Sequence, residues 1–399
     1  MKKIVLSLIA IFFTLASFAI ERKAPQEEGM DPERLSRVDD IINASIANRE
    51  IPGAVLAVVR NGSLVYLKAY GNKSVDPVEP MTENTVFDMA SCSKVVGTTI
   101  SMMQLLERGY YRLTDRVDMY IPGFKPYIDP KTGEKVNIRI VDLLTHSSGL
   151  PAYVSPDVVI KACGKDDPDS LMSYICRMKR VFRPGTDFLY SCLNFITLQN
   201  ILQKITGEKL CDYAQKNVFD VLGMTHTTYN PKLNDKKEIM KLVAPTEKQA
   251  DGKYLLGEVH DPLARVMNHG NSGNAGVFSN AEDLAILAAA LMNGGEIDGR
   301  RILGKLTVET MIRVPQEVRQ LGRSLGWDNY SPYASNNGNI FHPTKTYGHT
   351  GYTGTSFVVD PVSKTAVILL AHRVHPADKG SVVRLRALVA NVVAGSIVE

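Results

Sequence analysis

Two stretches of the chain carry the hydrophobic pattern of β-hairpins. The run GAVLAVVRNGSLVYLKAYG has two segments rich in Val, Leu and Tyr around Asn61-Gly62, a dipeptide that favours tight turns. The run GTSFVVDPVSKTAVILLAH repeats this pattern near the other end of the chain, with Asp360-Pro361 opening the turn. Strands from both ends of the chain are therefore predicted to join in one antiparallel sheet.

Apolar residues that recur every three or four positions predict helices in the remaining chain. One helix, over residues 32–48, precedes the first hairpin, and another, over residues 379–394, follows the second. The middle of the chain is mainly helical by the same criterion. Its clearest helices are predicted from Ser91 to Gly109, before Gly207, and after a capping box of Ser279 and Glu282.

This order of elements predicts an α+β fold. An antiparallel sheet is flanked by the N-terminal and C-terminal helices, and a mainly helical domain is inserted between its two halves. The expected boundaries are a sheet domain at 20–90 and 275–399 and a helical insertion at 91–274, with the active site between them. A chain of 399 residues is long enough for both units.

The first 19 residues have the pattern of a signal peptide. Lys2 and Lys3 precede an apolar run, and Ser17 and Ala19 supply small residues at the spacing that signal peptidase reads. The apolar run is short for a spanning helix, although a retained anchor stays open as an alternative. The protein is therefore predicted to be exported, periplasmic or secreted, with no stable membrane span after cleavage.

Composition and charge exclude several other classes. The net charge is +4, or 4 − 2 = +2 without Lys2 and Lys3, and no long basic run suggests a nucleic-acid partner. Five Cys leave at least one thiol free, and their spacing fits no metal site. His372 and His375 are predicted to lie in a surface loop. No metal or cofactor is expected, and oligomeric state and disulfide pairing remain open.

The segment FDMASCSKVV offers three nucleophiles, Ser91, Cys92 and Ser93, followed by Lys94. Ser91 and Lys94 are three positions apart, so a helix would present both side chains on one face. A lysine activates a serine only when it is partly neutral, and burial with nearby positive potential is expected to lower its pKa. The pair alone also fits a helix cap followed by a solvated lysine.

Two further segments strengthen the catalytic interpretation. FRPGTDFLYSCLNF places Tyr190 before an apolar helix, where a phenol could relay a proton. YGHTGYTGTSFVVD places His349, Thr350 and Gly351 where a strand begins. The backbone N–H of Tyr352 could there pair with that of Ser91 as an oxyanion hole.

These three segments, in this order, resemble the boxes of the serine β-lactamase/penicillin-binding-protein superfamily. The chain looks most like its class C β-lactamase-related branch, which includes esterases, D-amino-acid peptidases and amidases. The segments VDLLTHSSGL, GNAGVFSNAEDLA and LGWD are similar to that branch too. The resemblance covers residues 30 to 395 and implies the β-lactamase/transpeptidase-like fold.

The resemblance also implies roles for the site residues. Ser91 would be the nucleophile, Lys94 its partner base and Tyr190 the proton relay. His349, Thr350, Gly351 and Cys192 would contact substrate, with the N–H groups of Ser91 and Tyr352 as the oxyanion hole. Cys192 stands where many relatives carry Asn. Because a thiol is a weak hydrogen-bonding group, β-lactam recognition is placed in doubt. His146 is expected to be structural.

The predicted function is an exported serine hydrolase that forms an acyl-enzyme on an amide, peptide or ester, plausibly of cell-wall origin. Its substrate is a small molecule or a peptide. A true class C-type β-lactamase is one alternative, and a non-catalytic protein that binds peptidoglycan peptides on the same scaffold is another. A thiol enzyme that uses Cys92 is a third, and its sequence context shows no His partner.

Overall fold

The computed structural model describes residues 20–399, and the predicted signal peptide lies outside the described residues. The strands, in chain order, are β1 (Gly53–Arg60), β2 (Ser63–Val75), β3 (Val78–Pro80), β4 (Phe87–Asp88), β5 (Tyr127–Ile128), β6 (Lys135–Val136), β7 (Thr228–Tyr229), β8 (Val277–Ser279), β9 (Glu296–Ile297), β10 (Arg300–Arg301), β11 (Tyr347–Thr350), β12 (Ser356–Asp360) and β13 (Thr365–Ala371).

The helices alternate with these strands and fill most of the middle of the chain. They are α1 (Pro32–Ala47), α2 (Ile100–Glu107), α3 (Ile140–Leu144), α4 (Pro156–Cys163), α5 (Pro168–Arg177), α6 (Cys192–Thr206), α7 (Leu210–Ala214), α8 (Asp220–Leu222), α9 (Lys237–Met240), α10 (Pro262–Met267), α11 (Ala281–Met292), α12 (Lys305–Ile312) and α13 (Val383–Gly395).

The main sheet has six antiparallel strands in the order β11-β12-β13-β1-β2-β3. The first and last parts of the chain meet where β1 pairs with β13, with Ala57 opposite Ile368. The hairpin predicted at Asn61-Gly62 is confirmed, because β1 and β2 flank that dipeptide. The predicted α+β class with its antiparallel sheet is likewise confirmed.

Strand β1 is buried on both faces, which explains its continuous hydrophobic run. Its side chains alternate between two cores because neighbouring residues point to opposite faces. One core lies under α1 and α13 and takes Ala54, Leu56 and Val58. The other continues into α11 and the helical part of the chain and takes Val55, Ala57 and Val59.

Several element boundaries differ from the sequence prediction. Helix α11 is capped by the side chain of Asn280, which accepts the N–H of Asp283, whereas Ser279 ends β8. Helix α13 begins at Val383, four residues later than predicted, since Gly380 has a left-handed backbone that a helix cannot contain (φ +84°).

His372 and His375 are buried, so the predicted surface loop is wrong for both side chains. Their rings stack on each other. His375 Nδ1–H donates to the Thr246 carbonyl, and His375 Nε2 accepts the N–H of Val75. His372 Nε2–H donates to the Lys73 carbonyl of β2. Both imidazoles thus form hydrogen bonds with backbone groups that are buried where this loop packs against β2.

Candidate active site

Ser91 lies in a sharp turn between β4 and the long helical segment that ends in α2. Ala90 has a left-handed backbone (φ +45°), an unusual conformation for a residue with a side chain. The buried carboxylate of Asp88 holds this turn by accepting the N–H groups of Ala90 (2.8 Å) and His260 (2.7 Å). Ser91 occupies a 3-10 turn, Ala90–Cys92, and a π-helical stretch, Lys94–Thr99, follows. The regular helix predicted from Ser91 is therefore wrong in its first two turns.

Lys94 is fully buried, and its side chain lies beside that of Ser91, on the shared face that the spacing of three predicted. Its ammonium donates to Ser91 Oγ over 3.0 Å and to the Asn274 carbonyl over 2.9 Å. Cys192 Sγ is a third acceptor at 3.7 Å. The Nζ atom also lies 5.0 Å from the centre of the Tyr190 ring. Three distant parts of the chain thus converge on one lysine.

The pKa of Lys94 lies above its usual value, so the lowered pKa predicted from the sequence is wrong. Burial is the largest influence and lowers this pKa, but attraction of the ammonium to the ionised forms of Cys192 and Tyr190 outweighs it. Burial raises the pKa of Tyr190, which Lys94 offsets only in part. At neutral pH the pair therefore rests as an ammonium and a neutral phenol.

Tyr190 is held by the segment that precedes α6. Its hydroxyl is buried and faces the Lys94 ammonium and the Ser91 hydroxyl, which both act to lower its pKa. The His146 ring packs against the Tyr190 ring at 4.5 Å, and His146 Nδ1 accepts the N–H of Ser191 (3.1 Å). Asn194 is buried and donates its amide N–H to the same nitrogen (3.1 Å). His146 thus has the structural environment that the sequence predicted.

His349 projects from β11 towards the same cavity. Its Nδ1–H donates to the Thr350 carbonyl (3.0 Å), which leaves Nε2 as a buried nitrogen without a partner among the described residues. Burial and the positive charges of Arg323 and Lys94 hold the pKa of His349 well below its usual value. The imidazole is therefore neutral and presents a lone pair.

Gly351 lets the end of β11 approach the turn that carries Ser91. A Cβ atom at Gly351 would lie 2.5 Å from the Met89 carbonyl oxygen and would also meet Thr355 Oγ1. Thr355 Oγ1 itself donates to the Met89 carbonyl (3.1 Å), and Thr353 Oγ1 donates to the Asp88 carbonyl (2.8 Å). The loop at 351–355 is therefore docked on the turn of Ser91.

These groups line one cavity of about 470 Å³. Ser91, Tyr190, His349, Thr350, Gly351 and Tyr352 all border it. Lys94 and Cys192 do not line it: Lys94 contacts Ser91, and Cys192 contacts Lys94. Sequence reasoning missed three arginines in the lining and an exposed Tyr on the rim. No motif marks them, because they come from parts of the chain that only the fold brings to the site; they are Arg323, Arg373, Arg386 and Tyr333.

Cys92 does not fit the thiol-enzyme alternative. Its side chain is fully buried, and its Sγ donates to the His349 carbonyl. Burial raises the pKa of this thiol to about 11, which suppresses the thiolate at neutral pH. Ser93 is also occupied, since its Oγ accepts the N–H of Val277. All five cysteines are free, so Cys92 and Cys192 are not bridged.

Comparison with known proteins identifies the family of this chain. The family model described as Beta-lactamase matches residues 38–391. The chain belongs to the beta-lactamase family. This result confirms the resemblance that the three ordered segments suggested.

The relatives are named as carboxypeptidases. An Escherichia coli K12 protein named "Putative D-alanyl-D-alanine carboxypeptidase" is 30% identical over 93% of this chain and 90% of its own. A Salmonella typhi protein of the same name is 30% identical over 94% of this chain and 92% of its own. Family and relatives together make this chain a serine hydrolase, so a non-catalytic binding protein loses its support.

Solved structures share the fold at lower identity. A class C beta-lactamase superposes with a TM-score of 0.69 at 22% identity, covering 94% of this chain and 99% of its own. EstCE1, a hydrolase with promiscuous acyltransferase activity, has a TM-score of 0.70 at 22% identity, covering 91% and 99%. Within residues 20–399, every helix is too short or too polar to cross a membrane.

Proposed function

We propose that the protein is an exported serine hydrolase that forms an acyl-enzyme on Ser91, with an amide, peptide or ester of cell-wall origin as substrate. The observation that carries this proposal is the 3.0 Å hydrogen bond from Lys94 Nζ to Ser91 Oγ, with the buried Tyr190 hydroxyl facing both groups. The cavity would lie between a sheet domain (20–90 and 275–399) and a helical insertion (91–274).

In the proposed reaction, one proton first leaves the Lys94–Tyr190 pair, because the resting ammonium and phenol contain no free base. Ser91 Oγ then attacks the substrate carbonyl carbon and gives its proton to the pair. The oxyanion accepts the backbone N–H groups of Ser91 and Tyr352. When the tetrahedral intermediate collapses, the leaving amine or alkoxide takes that proton through Tyr190.

Deacylation reverses these roles. A water molecule attacks the acyl carbonyl and gives its proton to the Lys94–Tyr190 pair, and Ser91 regains a proton as the acid product leaves. His349, with a neutral Nε2 facing the cavity, would accept a hydrogen bond from the substrate. Thr350 and Gly351 would offer the edge of β11 to an extended chain.

The nucleophile is tested by replacing Ser91 with Ala. We expect Ser91→Ala to lose all labelling by a fluorophosphonate and to lower kcat by a factor of about 10⁶. Ser93→Ala is the matched control, and it should keep its labelling because Ser93 faces Val277. Full hydrolysis by Ser91→Ala would overturn the proposal.

The substrate class is tested by one panel of purified enzyme assays. Peptides ending in D-alanyl-D-alanine represent the named relatives, short p-nitrophenyl esters represent the EstCE1-like fold, and nitrocefin represents a class C-type β-lactamase. We expect peptide or ester turnover to exceed nitrocefin turnover, since Cys192 offers only a weak hydrogen-bonding group. Rapid nitrocefin hydrolysis would favour the β-lactamase alternative.

Export is tested by cell fractionation and mass spectrometry. The mature protein is expected outside the cytoplasm with Ile20 as its first residue, because Ser17 and Ala19 fit the cleavage rule. A full-length protein that stays in the cytoplasm would contradict this part of the proposal.

A further inference from the structure

Arg386 reaches from α13 to the loop that follows β11. Its side chain is buried, and its Nη2 donates to the carbonyl oxygens of Gly351 (2.7 Å) and Thr355 (2.8 Å). These two carbonyls stand at the two ends of the loop that contains Tyr352. One guanidinium nitrogen therefore fixes both ends of this loop.

The charge of Arg386 lacks an acidic partner. None of the ion pairs within residues 20–399 includes it, whereas Arg323 pairs with Asp328 and Arg373 pairs with Asp378. Its Nε is buried without a hydrogen-bond partner in the same part of the chain. Burial lowers the pKa of Arg386 to about 10, so the group stays charged at neutral pH. A buried charge of this kind is costly unless it interacts with something else.

The carbonyl oxygens of Gly351 and Thr355 interact with this charge, and the Gly351 oxygen belongs to the peptide bond that carries the Tyr352 N–H. The Gly351–Tyr352 peptide is trans, so its carbonyl oxygen and its N–H point in opposite directions. Because the Gly351 oxygen is held towards Arg386, the N–H of Tyr352 is turned away from α13. The positive charge at the oxygen also draws electron density from the peptide, which strengthens the N–H as a donor.

Arg373 fixes the next peptide in the same way. Its Nε–H donates to the Tyr352 carbonyl (2.8 Å), and its guanidinium lies 4.3 Å from the centre of the exposed Tyr352 ring. Both peptides that flank the Tyr352 Cα atom are thus held by arginines. The N–H of Tyr352 therefore has little freedom to rotate.

We propose that Arg386 is a positioning residue that orients and polarises the Tyr352 N–H, the donor that would stabilise the oxyanion. This inference rests on the proposed function, because it assumes that Ser91 forms a tetrahedral intermediate. In this role Arg386 does not contact the substrate. It stabilises the transition state indirectly, through the backbone N–H of Tyr352.

The test compares a p-nitrophenyl ester with its thiono analogue, in which sulfur replaces the carbonyl oxygen. Sulfur accepts hydrogen bonds weakly, so the thiono ester gains little from an oxyanion hole. Arg386→Met should lower kcat for the ester about 10- to 100-fold, but kcat for the thiono ester less than about threefold. Arg386→Lys keeps the charge and should recover part of the loss.

Arg384→Met is the matched control, because Arg384 lies two residues away on α13 and is exposed. It should leave kcat unchanged for both substrates. If Arg386→Met slows both substrates equally, or neither, the inference is wrong. Should Arg386→Met fail to fold by circular dichroism, Arg386→Lys decides alone. Selective slowing of the ester then supports the inference, and equal or absent slowing contradicts it.

The two proposals fail in different ways. If the wild-type enzyme is not labelled at Ser91 by a fluorophosphonate, the proposed function fails, and the inference fails with it. If Ser91 is labelled and turns over the ester, but the ratio of ester to thiono-ester rates is unchanged in the Arg386 variants, only the inference fails.

Discussion

Lys94 and Tyr190 are buried together, and their joint protonation governs when Ser91 can react. Both pKa values are raised, so the reactive form with one proton fewer is scarce at neutral pH and becomes more common as the pH rises. The pKa of His349 is lowered, so its imidazole stays neutral throughout this range.

We therefore expect kcat/KM to rise between pH 6 and pH 9, by up to about tenfold per pH unit, without a plateau near pH 7. The measurement is the pH dependence of initial rates on a stable amide or ester, corrected for spontaneous hydrolysis. A plateau that begins at pH 6 would mean that Lys94 is already neutral in the folded protein.

Replacement of Tyr190 by Phe removes the phenol while keeping a ring for His146 to pack against. Because proton transfer to the leaving group would lose its relay, kcat is expected to fall about 10²- to 10⁴-fold. Tyr333→Phe is the control, since the Tyr333 ring lies 6.2 Å from that of Tyr190 and is exposed. If Tyr190→Phe kept a near-normal kcat, Tyr190 would not be the proton relay, and Lys94 alone would transfer the proton.

At the scale of elements, the site depends on how closely the end of β11 lies against the turn of Ser91. Gly351→Ala would insert a methyl group 2.5 Å from the Met89 carbonyl oxygen. We expect this overpacking to lower the free energy of unfolding by about 1–3 kcal/mol. We also expect kcat to fall at least about tenfold, because small displacements at the reacting atoms are costly.

Urea unfolding and steady-state kinetics check both effects. Gly395→Ala is the matched control, because the nearest atom to its added methyl group is Ile340 Cδ1 at 3.9 Å. If Gly351→Ala retained the wild-type kcat, β11 would not need this close approach.

Elements with strong local signals could be predicted from the sequence. The turn at Asn61-Gly62 and the helix α6 before Gly207 are examples, since hydrophobic period and turn chemistry act within a few residues. The helix after Ser91 begins irregularly because Asp88 and the strained Ala90 shape it. These tertiary contacts override the local helix preference, and the spacing of hydrophobic residues does not indicate them.

Some residues of the candidate site could likewise be predicted from the sequence, and others could not. Ser91, Lys94, Tyr190 and His349 lie in short motifs, and the structure brings all four together. Arg386 lies in no motif and reaches the site only because α13 packs beside β13. Its role follows from the direction of two backbone carbonyls, which no sequence pattern encodes.

At the scale of the whole molecule, buried histidines make stability depend on pH. Burial lowers the pKa of His372 to about 3, and it also lowers the pKa values of His146, His349 and His375. Unfolded histidines titrate near pH 6.5, so below that pH the unfolded state binds more protons than the folded state. The stabilisation is complete above pH 6.5 and is lost as the pH falls towards 3.

We expect the free energy of unfolding to fall by up to about 1.4 kcal/mol per pH unit for each such histidine below pH 6.5. Urea unfolding at pH 7.5 and pH 5.5 measures this loss. His372→Gln keeps a donor for the Lys73 carbonyl and should show a smaller loss between these two pH values. Equal losses in wild type and His372→Gln would contradict the assigned pKa.

The pairing of β1 with β13 has a consequence for biosynthesis. A ribosome makes β1 among the first strands and β13 about three hundred residues later, so the central strand of the sheet waits for its partner until translation is nearly complete. His349 and Arg386 arrive in the same late portion. A prematurely terminated chain would therefore contain Ser91, Lys94 and Tyr190 but lack β11 and α13, which carry the other side of the cavity. Only a chain translated to its end is expected to hydrolyse substrate.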